Sequence, residues 1–303
     1  MKSVVRALSR RWFTPAPAAR LGLLRVAVGA YSLWYLRRRL GMFERIAGTD
    51  PKLFRPVGPA RILDKPLPPQ FARPLTLATL AANLAFLAGW RHRQSGPAFA
   101  GLLLWTLSYR NSWSMIYHND NLLVLHAGVL GLTRSADAYS LDALSAGVPA
   151  GMREHWRYGW PLQLINGVTA AAYLLAGVAK VRGPLGWAWA EGGALRRQVA
   201  VDGLRKELLG DGGAKLAGRM HDHVGLYRVM AVTSLATELG APLALLDKRL
   251  LRAWALGALG MHWGIYGIMK IKFRYQQSGV VFAPCFDIER VPQALARAAG
   301  AAR

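Results

Sequence analysis

Tyr158-Gly-Trp-Pro-Leu-Gln-Leu-Ile-Asn-Gly-Val-Thr-Ala-Ala-Ala-Tyr-Leu-Leu-Ala-Gly-Val-Ala179 contains no charged side chain and runs directly into Lys180. About 20 predominantly apolar residues suffice for a helix to cross the hydrocarbon of a bilayer. An amine at the end of such a helix meets either a protein interior or the headgroup layer. If it is desolvated, burial penalises the ammonium and favours a free amine that can abstract a proton. If it reaches the surface, it is a snorkelling charge one turn from Arg182. The residues alone leave both readings open.

Composition extends the membrane reading outward. Of 303 residues, 53% are hydrophobic and 18% charged, mean hydropathy is +0.18, and there are 11 Trp. This balance suits an all-α polytopic integral membrane helix bundle. Apolar periodicity predicts about seven transmembrane helices, over residues 21–36, 75–90, 98–107, 113–132, 161–181, 224–246 and 250–271. The domain expectation is a basic tail over 1–19, one membrane domain over 20–286, and a C-terminal tail over 287–303. Residues 51–74 carry too many prolines for a long helix and read as an extramembrane loop. The stretch 280–286 is apolar but too short to span. No internal repeat is evident.

The excess of 39 Lys and Arg over 16 Asp and Glu, a net charge of +23, raises nucleic acid as a partner. Yet the cations flank apolar runs, with Arg10, Arg11 and Arg20 before the first and Arg37, Arg38 and Arg39 after it. That pattern points to membrane lipids rather than nucleic acid. The first apolar run ends in three arginines rather than in a small-residue cleavage site, so it reads as a retained helix; the expected location is a bacterial-type inner (plasma) membrane. Positive charge flanks an odd number of crossings on both sides, so orientation stays open. Cys285 is the single cysteine, which excludes an intrachain disulfide.

Polar groups within the apolar runs mark the candidate site. The densest group is Tyr117-His118-Asn119-Asp120-Asn121, followed by His126. Asn119 or Asp120 can cap the helix that begins there, whereas capping does not account for His118 and His126, which two helical turns bring to one face. Arg25 inside the first run needs a partner, and Glu238, the acid of the sixth, is the expected one, as a structural ion pair. His262 in the seventh can hydrogen-bond across helices. His221-Asp222-His223 lacks a third ligand at suitable spacing, so no metal is expected. Neither a phosphate-binding glycine loop nor a serine nucleophile elbow is present.

Ser112-Trp113, His118-Asn119, Tyr139-Ser140-Leu141-Asp142, the segment from Tyr173 to Lys180 with Trp187 or Trp189 after it, Glu238 with Pro242, and His262 with Phe273 occur in an order that resembles the HTTM family. These are membrane domains similar to the transmembrane part of vitamin K-dependent gamma-carboxylase, and the resemblance spans most of residues 20–286. It implies a vitamin K-type quinol, a reduced menaquinone, as cofactor or substrate. It also implies Lys180 as the base that deprotonates it, with His118 or Asn119 assisting. Asp120, Asn121, His126 and His262 then line the substrate. The chain as given leaves little room after the last apolar run for a domain that binds a protein substrate. Quinol oxidation is therefore expected rather than carboxylation of a protein. The alternative is a non-catalytic membrane protein that binds or transports a lipid or small solute through the same polar groups.

Overall fold

The computed structural model of the chain describes residues 12–113, 115–116, 118–147, 154–210, 215–292 and 294, without the side chains at 118, 119 and 215. The protein is all-α apart from a two-residue antiparallel pairing of β1 (Ala16–Pro17) with β2 (Glu154–His155). It divides into two compact units. One comprises Met1–Ile165 with Asp287–Arg303, and the other Asn166–Phe286.

In the first unit, α1 (Ala18–Arg37) and the short α2 (Leu40–Ala47) precede the proline-rich segment, which breaks into three 3-10 turns, Pro51–Leu53, Gly58–Ile62 and Pro69–Phe71. Then follow α3 (Ala72–Ala88), α4 (His92–Asn111), α5 (His118–Leu132) and α6 (Leu141–Ser145). Helices α1, α3, α4 and α5 pack on one another around Leu21, Leu24, Phe86, Phe99, Leu103 and Leu123. Their interior is also polar. Thr79 and Thr106 share a hydroxyl hydrogen bond of 2.9 Å, and the Asn83 amide donates to the Gly29 carbonyl at 3.1 Å.

Arg25 organises this unit. It is fully buried, at 0% exposure, and its guanidinium donates to the carbonyls of Phe86 (2.8 Å), Leu87 (2.7 Å), Ser135 (3.1 Å) and Tyr139. Phe86 and Leu87 lie in the last turn of α3, where carbonyls lack intrahelical partners and the helix dipole favours a cation. Gly89, at φ +61°, closes that helix by a Schellman turn, with Trp90 N–H bonded to Ala85 O and Gly89 N–H to Phe86 O, both at 3.0 Å. A Cβ at Gly89 would lie 2.4 Å from Ser140 Cβ and 2.7 Å from the Arg25 guanidinium, so only glycine fits. The next helix is capped by the opposite charge: the Asp142 carboxylate accepts from the N–H groups of Arg91 (2.8 Å) and His92 (2.7 Å) at the start of α4.

Residues 287–292, read from the sequence as the start of a tail, belong to the first unit. There Arg20 binds Glu289 through two hydrogen bonds (2.6 and 2.7 Å) and meets Asp287 at 2.5 Å.

Helix α7 (Trp156–Val181) carries the opening stretch, and the second unit begins inside it, at Asn166. A 3-10 segment (Gly186–Glu191), α8 (Gly193–Leu208), α9 (Lys215–Met220), α10 (Val224–Leu239), α11 (Ala241–Ala244), α12 (Lys248–Met269), α13 (Arg274–Gln277) and a 3-10 segment (Val280–Cys285) follow. Asp247 caps α12, accepting from Arg249 N–H (2.7 Å) and Leu250 N–H (3.3 Å). At the other end of α12, Lys206 donates to the Met269 carbonyl while pairing with Asp202.

The expectation of seven spans is corrected. Among the described residues two helices are long and apolar enough to cross a membrane, Pro69–Ala88 and Trp156–Val181. The other expected spans are helical but shorter or more polar. Helix α10 stops at Leu239 because Gly240 and Pro242 break it, leaving 16 residues, about 24 Å of helix against about 30 Å of hydrocarbon. Helix α5 has 15 residues, and α1 carries Arg20, Arg25 and Arg37. The two long apolar helices are not core helices: 22% and 39% of their most apolar stretches are buried. Leu77, Leu84, Leu175, Val229, Val232, Leu256 and Trp263 face outward while Arg25, Asn83, Asp120 and His126 face inward.

Replacing Arg25 tests this hub. Arg25→Ala removes the side-chain donor shared by four backbone carbonyls and leaves a cavity in the core, and is expected to destabilise the first unit by about 3 kcal/mol or more. Arg25→Lys, which keeps the charge but not the planar fork, is expected to cost less. Denaturant titration of purified protein followed by circular dichroism measures both.

Candidate functional site

Lys180, in the last turn of α7, forms an ion pair with Glu238, near the end of α10. Gly177, one turn before Lys180, makes that pairing sterically accessible: a Cβ there would lie 2.9 Å from both the Glu238 Cβ and a Leu239 methyl carbon. The backbone of α7 therefore approaches α10 at the level of the carboxylate. Trp189, from the following 3-10 segment, sets its ring 4.9 Å from the Lys180 Nζ, a cation–π contact. Trp189 is held by Ala194, Ala231 and Leu235. The amine is thus fixed on two sides, by a carboxylate and by an aromatic face.

Glu238 is the more enclosed partner, with 8% side-chain exposure against 26% for Lys180. Its Oε1 receives the lysine. Its Oε2 is buried and has no hydrogen-bond partner among the described residues. An unmet buried carboxylate oxygen is costly, since most buried polar atoms are hydrogen-bonded.

Around this pair the second unit gathers further polar groups. The Tyr173 hydroxyl lies 3.4 Å from His262 Nδ1, which is also 2.8 Å from the Ala258 carbonyl. Tyr173 packs edge-on to Trp254 at 5.0 Å and His262 edge-on to Phe273 at 5.1 Å. Tyr173 is within electrostatic reach of Glu238 and Cys285. Cys285 in turn contacts the Asn166 side chain at 3.5 Å. Burial pushes the Cys285 thiol up to about 12.

The polar cluster expected at 117–121 belongs to the first unit. The Asp120 carboxylate, 1% exposed, accepts from the Tyr35 hydroxyl (2.8 Å) and the Arg110 guanidinium (2.7 Å), and Arg110 also donates to Asn111 (3.0 Å). Arg39 stacks over Tyr35 at 3.8 Å. Asn121 is exposed, whereas His126 is buried in α5. His118 and Asn119 begin α5, but their side chains lie outside the described residues.

The sequence-predicted set is thus divided. Lys180, Glu238 and His262 lie in the second unit, and Asp120, Asn121, His126 and Arg25 in the first. The expected Arg25–Glu238 ion pair is not made. Each has a better partner within its own unit, Arg25 in four carbonyls and Glu238 in Lys180. Sequence reasoning missed Arg110 and Tyr35 as partners of Asp120. The signal was there for Arg110, a cation at the end of an apolar helix only ten residues before the acid.

Landmarks that carry the family resemblance have structural work to do. Ser112 accepts from Val57 N–H (3.1 Å), and Trp113 packs on Phe54 at 5.2 Å, so the pair pins the proline-rich segment to the end of α4. Tyr139 and Asp142 serve the Arg25 hub and the α4 cap. Among the described residues no group of three or more His, Cys, Asp or Glu is placed to hold a metal ion.

Lys180→Met and Glu238→Gln are each expected to destabilise the protein by about 2–4 kcal/mol, and the double variant by less than the sum, as denaturant titration measures. At pH 8 a thiol with its pKa near 12 has about one thiolate in ten thousand. Cys285 should accordingly resist maleimide in the folded protein and react once the protein is denatured, as intact mass reports.

Comparison with protein-family models, with curated proteins and with solved structures finds no match to this chain.

Proposed function

We propose that the chain is an integral membrane protein of the HTTM type in which the Lys180–Glu238 pair removes the hydroxyl proton of a lipid-soluble quinol. The membrane half of this reading is supported by outward-facing apolar side chains that occur together with buried charge. Leucines and valines on α3, α7 and α10 face outward, whereas Arg25, Asp120, Asn83 and His126 are buried. In water such an arrangement forfeits hydrophobic stabilisation and still incurs the desolvation of charge. In hydrocarbon it is what helix packing requires, because polar groups must find partners inside the protein. On this reading the two long apolar helices, Pro69–Ala88 and Trp156–Val181, cross the bilayer. The exposed cations Arg37, Arg38, Arg45, Lys52, Arg55, Arg61, Lys65 and Arg73 meet anionic headgroups, as in a bacterial-type inner membrane.

The single observation that carries the chemical half is the Lys180–Glu238 pair itself, an ammonium and an enclosed carboxylate at the end of an apolar helix. A vitamin K-type quinol such as reduced menaquinone reaches that depth by its isoprenoid tail. Its hydroxyl is phenol-like, with a pKa of about 10, so ionisation calls for an acceptor and an adjacent cation. The pair offers both, and the cation stabilises the quinolate as it forms. With dioxygen as the oxidant, one oxygen atom enters the ring as the epoxide. The other leaves as water with the two quinol hydrogens. The scheme draws on no metal ion.

A second reading is a non-catalytic protein that binds or transports a lipid or small solute. It is favoured by the engagement of Lys180 with Glu238 and Trp189, which also suits a structural clasp between α7 and α10.

Purified protein in lipid nanodiscs, given reduced menaquinone and oxygen, is expected to form epoxide detectable by mass spectrometry. Lys180→Ala should slow this at least about 100-fold. Equal rates with and without the amine, or no turnover at all, would sink the enzymatic reading. Retention of an unmodified lipid or quinone through purification, without turnover, would favour the second.

A further inference from the structure

We infer that the proton of the bound hydroxyl is received by Glu238, at its Oε2 atom, and not by the amine of Lys180. This deepens the quinol reading and rests on it. The two carboxylate oxygens have different surroundings. Oε1 is occupied by the lysine, whereas Oε2 is buried and the described chain gives it no donor. The Tyr173 hydroxyl, within electrostatic reach of Glu238, lies against His262, and the Cys285 thiol against Asn166. A carboxylate oxygen withdrawn from water and left without a donor is an acceptor waiting for one. The complementary ligand group is a neutral hydroxyl.

Charge decides the direction of transfer. Bonded to a carboxylate and set against the Trp189 ring, Lys180 is placed as an ammonium, and an ammonium has no lone pair with which to act as a base. When a hydroxyl bonds to Oε2, its O–H bond breaks, a new H–Oε2 bond forms, and the electron pair stays on the ligand oxygen. The negative charge moves from the carboxylate to the quinolate, and the total charge is unchanged. Of the three N–H donors of Lys180, one serves Oε1, leaving others to meet the quinolate. Lys180 is then the electrostatic stabiliser and Glu238 the catalytic base.

The full-length protein in nanodiscs, with reduced menaquinone and oxygen, separates the two assignments. Lys180→Arg keeps a cation that stays protonated and so cannot act as a base. It is expected to retain kcat within about 10-fold, while Glu238→Gln, nearly isosteric, should lose at least about 100-fold in kcat with little change in KM. Near-normal turnover by Glu238→Gln with Lys180→Arg as slow as Lys180→Ala would overturn the inference and leave the quinol reading standing. Absence of epoxide from the unsubstituted protein would instead remove the quinol reading. If both variants are inactive, anaerobic infrared difference spectra on adding reduced menaquinone decide. A protonated-carboxyl band that shifts with 13C-labelled glutamate supports Glu238 as acceptor, and its absence counts against it.

Discussion

A charge taken out of water must find its counterpart inside the protein, and the architecture of this chain follows from how it meets that demand. Arg25 finds four backbone carbonyls, Arg110 finds Asp120, Arg20 finds Asp287 and Glu289, and Lys180 finds Glu238. Each solution dictates which elements touch. The carbonyls that hold Arg25 come from the end of α3 and from the segment before α6, so one guanidinium ties three parts of the chain together. Asp142 performs the converse task at the start of α4, and the turn between the two helices is bounded by a cation at one end and an anion at the other. Removing either leaves helix-end groups without their side-chain partner.

Much of the helical layout was legible in the chain. The uncharged run before Lys180 is an uninterrupted helix, and the prolines of 51–74 limit that segment to short 3-10 turns. Other features leave no local trace. A backbone carbonyl has no sequence signature, so the partners of Arg25 leave no trace in the chain, and Glu238, an acid within an apolar run, stands out in their place although it pairs with Lys180. Lys180 and Glu238 are 58 residues apart, and nothing in either neighbourhood names the other. The border between the two units falls inside α7, at Ile165 and Asn166, where composition does not change. Apolar content continues across Gly240 and Pro242, which end α10 early, so the sequence pattern is longer than the helix it forms.

The candidate site was legible as residue types more than as an arrangement. Lys180, Glu238 and His262 do lie in one unit, and Asp120 is buried, but its ligands Arg110 and Tyr35 came only with the fold. Ser112, Trp113, Tyr139 and Asp142 hold loops and helix ends together, which explains their order along the chain without reference to chemistry. The residues left over from that structural work are few. Chief among them is Glu238, whose second oxygen meets no donor among the described residues.

Charges are satisfied inside while several leucines and valines are turned outward, and the membrane proposal predicts lipid at those outward positions. The most direct test places a nitroxide singly at Leu84, Leu175 or Val229, all outward-facing, in protein reconstituted into liposomes. Its relaxation is then measured with oxygen, which concentrates in hydrocarbon, and with a water-soluble nickel chelate. Lipid-facing helices predict that oxygen dominates at all three positions. Dominance of the nickel chelate at these sites would contradict the account.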